Sequence, residues 1–189
     1  MRKDLIASAV AVLLFTVVCG LIYPLAVTGI AQVTMPGKAN GSQIERDGKV
    51  VGSELIGQDF QGRRRYFQSR PSASDDSADA TFFNNLGPNQ RDLATQQHQA
   101  AVAYARRERI ALADVPVDAA TTSASGVDPH ISPENAEIQA RRVARVRGLS
   151  LDRVNDLIDE HTDGRGLGFM GEPGVNVLTL NLALDEETR

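Results

Sequence analysis

Residues 5–33 read LIASAVAVLLFTVVCGLIYPLAVTGIAQV, a run without a single charged side chain. Leu5 to Tyr23 alone would span about 28 Å as a helix, the thickness of a bilayer's hydrocarbon core. Pro24 follows, where its ring would press on the carbonyl of Gly20, and a residue without a side chain makes the resulting kink tolerable. Tyr23 suits the far membrane interface. Arg2 and Lys3 stand directly before the run and favour a cytoplasmic N-terminus, although Lys38 and Arg46 on the far side weaken the bias. Ala7/Ala11 and Thr16/Gly20 are small residues at four-residue spacing, which lets another helix approach closely. Two other readings are open. Gly29-Ile30-Ala31 has the small residues of a signal-peptidase site, but the run is longer than a secretory signal's apolar region. Cys19 as a lipid attachment site is disfavoured by the bulky Val17 and Val18 before it.

Beyond this anchor, residues 1–34, the chain has length for one further domain, residues 35–189. The whole carries a formal charge of −4, and nearly all charged side chains lie in the domain, which is mildly acidic. A general nucleic-acid binder needs a positive surface to release counterions from phosphates, so that class is excluded. The only cysteine, Cys19, lies in the apolar run, so the domain has no internal disulfide and depends on its core.

The domain reads as mixed α/β of the α+β type. Gln43-Ile44-Glu45 and Lys49-Val50-Val51 flank Asp47-Gly48, a hairpin signal. Tyr66-Phe67 reads as a short strand. Residues 69–91 lose periodicity and form a long loop with Asp75, Asp76 and Asp79, which would raise local cation concentration beside a pore or else be an ordinary polar loop. Asp92 to about Ile110 has helical composition with a thin apolar stripe. Ser132 and Pro133 open a clearer helix that Gly148 ends, and Ser150 caps the next, with Val154, Leu157, Ile158 and His161 on one face. His161 falls in the last turn, where a cation is favoured. In Asn176 to Leu184, Leu178, Leu180, Leu182 and Leu184 alternate with Val177, Thr179, Asn181 and Ala183, which predicts a strand.

Catalytic patterns are weak. Gly166-Leu167-Gly168-Phe169-Met170-Gly171 matches a dinucleotide fingerprint, but a helix precedes it and a strand follows, so it reads as a turn. His98, His130 and His161 are far apart, and no cysteine pair or His-x3-His spacing supports a metal site. A hydrolase triad from Ser123 or Ser125 with His130 and Asp128 lacks a nucleophile elbow. Arg141, Arg142, Arg145, Arg147 and Arg153 form the strongest basic cluster. It reads as a solvated helix face, or more sharply as a contact for anionic headgroups or an acidic partner.

The residues taken by themselves therefore point to an anchored, non-catalytic domain. Further motifs run almost end to end: Tyr23-Pro24; Gly52-Ser53 with Leu55-Ile56-Gly57-Gln58 and Phe60; Tyr66-Phe67 with Arg70-Pro71-Ser72-Ala73; Asn85-Leu86-Gly87-Pro88. Thr122-Ser123-Ala124-Ser125-Gly126 leads into Asp128-Pro129-His130-Ile131-Ser132-Pro133, followed by Gln139, Arg142-Val143-Ala144, Gly168-Phe169, Gly171-Glu172-Pro173 and Val175-Asn176-Val177-Leu178. In this order they resemble the KdpC family, the C subunit of the Kdp-type potassium-transporting P-type ATPase. Phe82-Phe83 depart from the small Ser or Gly residues usual in that family.

The resemblance implies a non-catalytic accessory subunit of a high-affinity, ATP-driven potassium uptake complex in the bacterial cell membrane. The anchor would be single-pass, with the N-terminus cytoplasmic and the domain extracytoplasmic. Its implied partners are a channel-like potassium-binding subunit, a P-type ATPase subunit and a very small single-helix subunit. The family is described as a catalytic chaperone that raises the ATPase subunit's affinity for ATP, with Gln139 matching its candidate nucleotide contact. No cofactor is intrinsic and no metal site is expected; ATP would be met only in the complex. The alternatives are an outer-side cap shaping potassium access without a nucleotide role, and a membrane-anchored hydrolase. Ala7, Ala11, Thr16, Gly20, Tyr23 and Pro24 are the expected helix-docking residues, and Arg70, Asn85, Gly87, Asp128 and His130 the candidate partner contacts.

Overall fold

The computed structural model describes residues 2–77 and 85–188, which places Asp79 and Phe82-Phe83 outside the described residues. The chain forms two compact units, Met1–Val51 and Gly52–Arg189.

In the first unit, α1 (Arg2–Val17), a π-helical turn (Val18–Ile22) and α2 (Tyr23–Thr34) run without a break. This 33-residue helix is long and apolar enough to cross a membrane, and none of its most apolar stretch is buried within the protein. At 1.5 Å per residue it measures about 50 Å, so it outlasts a hydrocarbon core of about 30 Å and accommodates the excess by tilting or projecting. The helix does not end near Tyr23. The wider turn just before Pro24 explains this: the Tyr23 N–H reaches back five residues to the Val18 carbonyl, which loosens the ladder where the proline ring would otherwise clash. A short helix α3 (Pro36–Ala39) and the hairpin β1 (Gln43–Arg46) and β2 (Lys49–Ser53) follow; the hairpin is as the Asp-Gly signal predicts.

The second unit contains α4 (Arg91–Glu108), a 3-10 turn (Leu112–Asp114), α5 (Val117–Ala120), β3 (His130–Ile131), α6 (Pro133–Arg147), α7 (Leu151–Glu160), β4 (Thr162–Asp163), β5 (Gly174–Asn176) and α8 (Val177–Glu187). The three short strands form an antiparallel sheet in the order β3-β5-β4. Both ends of α6 are as expected: the Ser132 hydroxyl accepts from the Asn135 N–H at 3.1 Å, and Gly148 closes the helix at φ 71°, a conformation glycine adopts without steric cost. Ser150 caps α7 in the same way. Ala136, Ala140 and Ala144 on α6 are small enough to bring α7 close. Val154, Leu157 and Ile158 of α7 join Phe67, Ile131, Val143, Val175, Leu180 and Leu184 in one core.

Two expected strands are absent. Residues 177–187 form α8, and only Gly174–Asn176 is extended. The leucine alternation misleads because, among the buried residues of α8, Val177, Leu180, Asn181 and Leu184 fall at the i, i+3, i+4, i+7 spacing of a helix face, with Leu178 beside them. The Asn176 side chain accepts from the Thr179 N–H at 3.2 Å and turns the chain from strand to helix. Tyr66-Phe67 belongs to no strand; side chains take the place of a ladder there.

Candidate functional site

Three of the expected partner-contact residues converge at the edge of the small sheet. Arg70 Nη1 donates to Asp128 Oδ2 at 3.2 Å, and the Asp128 Oδ1 accepts the His130 N–H at 3.0 Å. The register of β3 and β4 on either side of β5 brings Asp163 to the far side of His130, whose Nε2 lies 3.0 Å from Asp163 Oδ2. Gly174 permits this crossing, because a Cβ there would lie 3.2–3.3 Å from the His130 side chain. Gly57 plays a similar part beneath Asp128: its N–H donates to Val127 O at 2.7 Å, and a Cβ would come within 2.8 Å of the Asp128 carbonyl. Arg70, Asp128, His130 and Asp163 line an open cavity of about 410 Å³ together with Asp118, Ser132 and Glu172. Asn85 and Gly87 sit instead on the approach to α4, where the Gln90 side chain accepts the Gly87 N–H.

The electrostatics follow from this geometry. The hydrogen bonds from His130 and the Arg70 guanidinium hold the Asp128 carboxyl down at about 2, against the opposing effect of burial. Asp128 and Asp163 in turn raise the His130 pKa, so the imidazolium is favoured. Asp76, partly buried and near Asp59, Asp75 and Asp128, is pushed up to about 6, with burial the largest cause.

A hydrolase does not fit. Both His130 ring nitrogens face carboxylates, Nδ1 at 3.6 Å from Asp128 and Nε2 against Asp163. The Ser123 hydroxyl is instead engaged with Ser125 Oγ at 3.1 Å and with the Gly126 and Asp128 N–H groups. With both ring nitrogens turned to carboxylates, His130 is poorly placed to act as base for a serine. His161 also departs from expectation: burial lowers its pKa against the opposing charge of Glu160.

Gln139 lies elsewhere, wholly buried on α6. Its Nε2 donates to Gln68 O at 3.0 Å and Asn135 Oδ1 at 2.9 Å; its Oε1 accepts from Gln68 N and from Arg142 Nη2, both at 2.8 Å. Two donors and two acceptor sites exhaust the amide's capacity. Beside it, the basic cluster is split. Arg141 and Arg145 are exposed, as a solvated face requires. Arg142 is buried, with Nε on both oxygens of Glu108 at 2.9 and 3.1 Å and Nη1 on the carbonyls of Arg64 and Tyr66. The buried guanidinium of Arg147 holds Arg65 O, Leu184 O and Asp185, and lies 4.9 Å from the Tyr66 ring centre. These arginines clamp the loop around residues 64–66 and do not form a docking patch. Asp163, Glu108 and Asn181 escaped sequence reasoning. Each is isolated in the chain, and only tertiary pairing gives it a role.

The chain can be compared with known proteins over nearly its whole length. The family model described as "KdpC: K+-transporting ATPase, c chain" matches residues 5–186. A protein of Mycobacterium bovis (strain BCG / Pasteur 1173P2) named "Potassium-transporting ATPase KdpC subunit" is 50% identical, over 98% of this chain and 99% of that one. Proteins of the same name are 48% identical in Koribacter versatilis, over 98% and 95% of the two chains, and 51% identical in Methylococcus capsulatus, over 92% of each. The anchoring helix, the mixed domain and these matches agree: the chain belongs to the KdpC family, a membrane subunit of the K+-transporting ATPase and not its catalytic unit.

Proposed function

We propose that this chain is an accessory subunit that assembles and stabilises a high-affinity, ATP-driven potassium uptake complex. Its helix docks against the transmembrane bundle through the face carrying Ala7, Ala11, Thr16 and Gly20, with Tyr23 and Pro24 near the outer interface. Its domain lies outside the cytoplasm and caps the side from which potassium arrives. The partners are a channel-like potassium-binding subunit, the P-type ATPase subunit and a very small single-helix subunit. The observation that carries this reading is a 33-residue helix with its apolar side chains exposed, joined to a domain of a transporter-subunit family.

Any gain in the ATPase subunit's affinity for ATP is transmitted through assembly. The saturated, buried amide of Gln139 supports this, since a nucleotide would have to displace four internal hydrogen bonds to reach it. The test is labelling of a cysteine placed at the exposed Glu137 in a Cys19→Ser background, with the whole complex in intact cells. Labelling by a membrane-impermeant maleimide is expected. Protection until the membrane is opened would overturn the outer placement.

A further inference from the structure

Between β4 and β5 the chain runs into a short loop whose tip exposes Leu167, Phe169 and Met170 to 84%, 72% and 57%. Among the described residues, no other cluster of this kind lies in the second unit; its other exposed apolar side chains are scattered. Single exposed apolar residues need no explanation, but three on one tip do.

The tip is preordered. Gly166 and Met170 exchange both backbone hydrogen bonds at 2.8 Å, and the N–H groups of Gly168 and Phe169 close back onto Arg165 and Gly166. Leu167 itself sits at φ 53° between glycines, a left-handed conformation that costs a bulky side chain energy and that Gly or Asn would adopt more easily. A leucine kept exposed and strained points to a use for its side chain. A rigid tip also loses little entropy when it docks.

The rim decides between a lipid surface and a protein. Asp163, Arg165 and Glu172 flank the tip, with Arg165 and Glu172 paired at 2.6 Å. Asp163 is engaged by His130 and Arg165 by Glu172, so the rim offers no basic surplus to hold anionic headgroups. A mixed polar rim around a few large apolar anchors is instead the anatomy of a protein interface.

We propose that this loop is a docking finger, with Leu167, Phe169 and Met170 seated in an apolar cleft of another subunit of the transporter. The proposal rests on the accessory-subunit reading and adds the surface through which the domain, as distinct from the helix, is held.

The test uses the full chain expressed with the complex. With p-benzoylphenylalanine in place of Phe169, irradiation is expected to yield a cross-link to another transporter subunit, identified by mass; the same probe in place of the exposed Val117 is the control. Cross-links only to lipid, only to a second copy of this chain, or none at all would overturn the proposal. A Leu167→Gly/Phe169→Ser variant is expected to co-purify with the complex roughly tenfold less. Its melting temperature should be unchanged or higher, because glycine relieves the left-handed strain. Full co-purification of that variant would sink the docking finger and leave the accessory-subunit reading intact, whereas failure of the wild-type chain to co-purify would remove both.

Discussion

The side-chain amide of Gln139 holds Gln68 as a neighbouring strand would, accepting its N–H at 2.8 Å and donating to its carbonyl at 3.0 Å. Asn181 of α8 does the same for the preceding residue, accepting the Phe67 N–H at 2.8 Å and donating to its carbonyl at 3.0 Å. Two helices thus supply side chains in place of a β-ladder, and Phe67 is fixed with its ring fully in the core. Buried backbone groups must find partners, and here they find amides.

Gln139→Ala should therefore act first on stability. It strands the N–H and carbonyl of Gln68 and one arm of Arg142, and we expect a loss of about 3 kcal/mol, or about 10 °C in Tm. Chemical unfolding of the full chain in detergent measures it. If the complex containing this variant shows weaker ATP affinity, the loss should follow the fraction of folded subunit. Weakened affinity with unchanged unfolding would refute the structural role.

Asn181→Ala is expected to cost about 2 kcal/mol for the same reason. The two clamps hold adjacent residues, so the Gln139→Ala/Asn181→Ala pair should lose less than the sum of the single losses, with a coupling of about 1 kcal/mol. Strict additivity in a double-mutant cycle would show that Phe67 and Gln68 are held independently.

Much of this fold was legible in the sequence where the signals were local. The anchor, the Asp47-Gly48 hairpin and the Ser132 and Ser150 caps all depend on neighbours within a few residues, and all stand. What failed depended on distant partners. The period-two leucines after Asn176 suggest a strand, although an asparagine cap at that position also suits a helix. Tyr66-Phe67 has strand-like composition, but its hydrogen bonds come from α6 and α8, more than seventy residues away. Of the candidate site, Arg70, Asp128 and His130 converge, while Asp163 enters only through the sheet register.

Buried charge gives a sharper test. The Glu108 carboxylate is fully buried against Arg142, and burial, with the nearby Arg107 charge, lowers the Arg142 pKa below its ordinary value even though Glu108 opposes the shift. Glu108→Gln leaves the guanidinium in the interior without its counter-charge and should cost about 3–5 kcal/mol. Replacing both, Glu108→Leu with Arg142→Met, restores much of the loss in the pair itself, although the carbonyls of Arg64 and Tyr66 then lose a donor. Thermal unfolding of the two variants beside the unsubstituted chain orders them. A double variant less stable than Glu108→Gln would show that the carbonyl contacts outweigh the ion pair.

The charge cluster predicts a pH dependence whose sign is fixed. His130 has its pKa raised by Asp128 and Asp163, while that of His161 is lowered by burial. Ring-proton NMR of the full chain should therefore show His130 titrating above about 6.5 and His161 below it. A raised histidine stabilises the fold fully below its unfolded pKa, and that contribution is lost as pH rises through the folded value. Asp128, depressed to about 2, loses its contribution only as pH falls from its unfolded value towards 2. Asp163→Asn should lower the His130 midpoint, and its stability deficit should be greatest between about pH 4 and 6 and shrink in alkaline solution. A deficit that grows with rising pH, or a His130 midpoint unmoved by the substitution, would show that Asp163 does not hold the imidazolium.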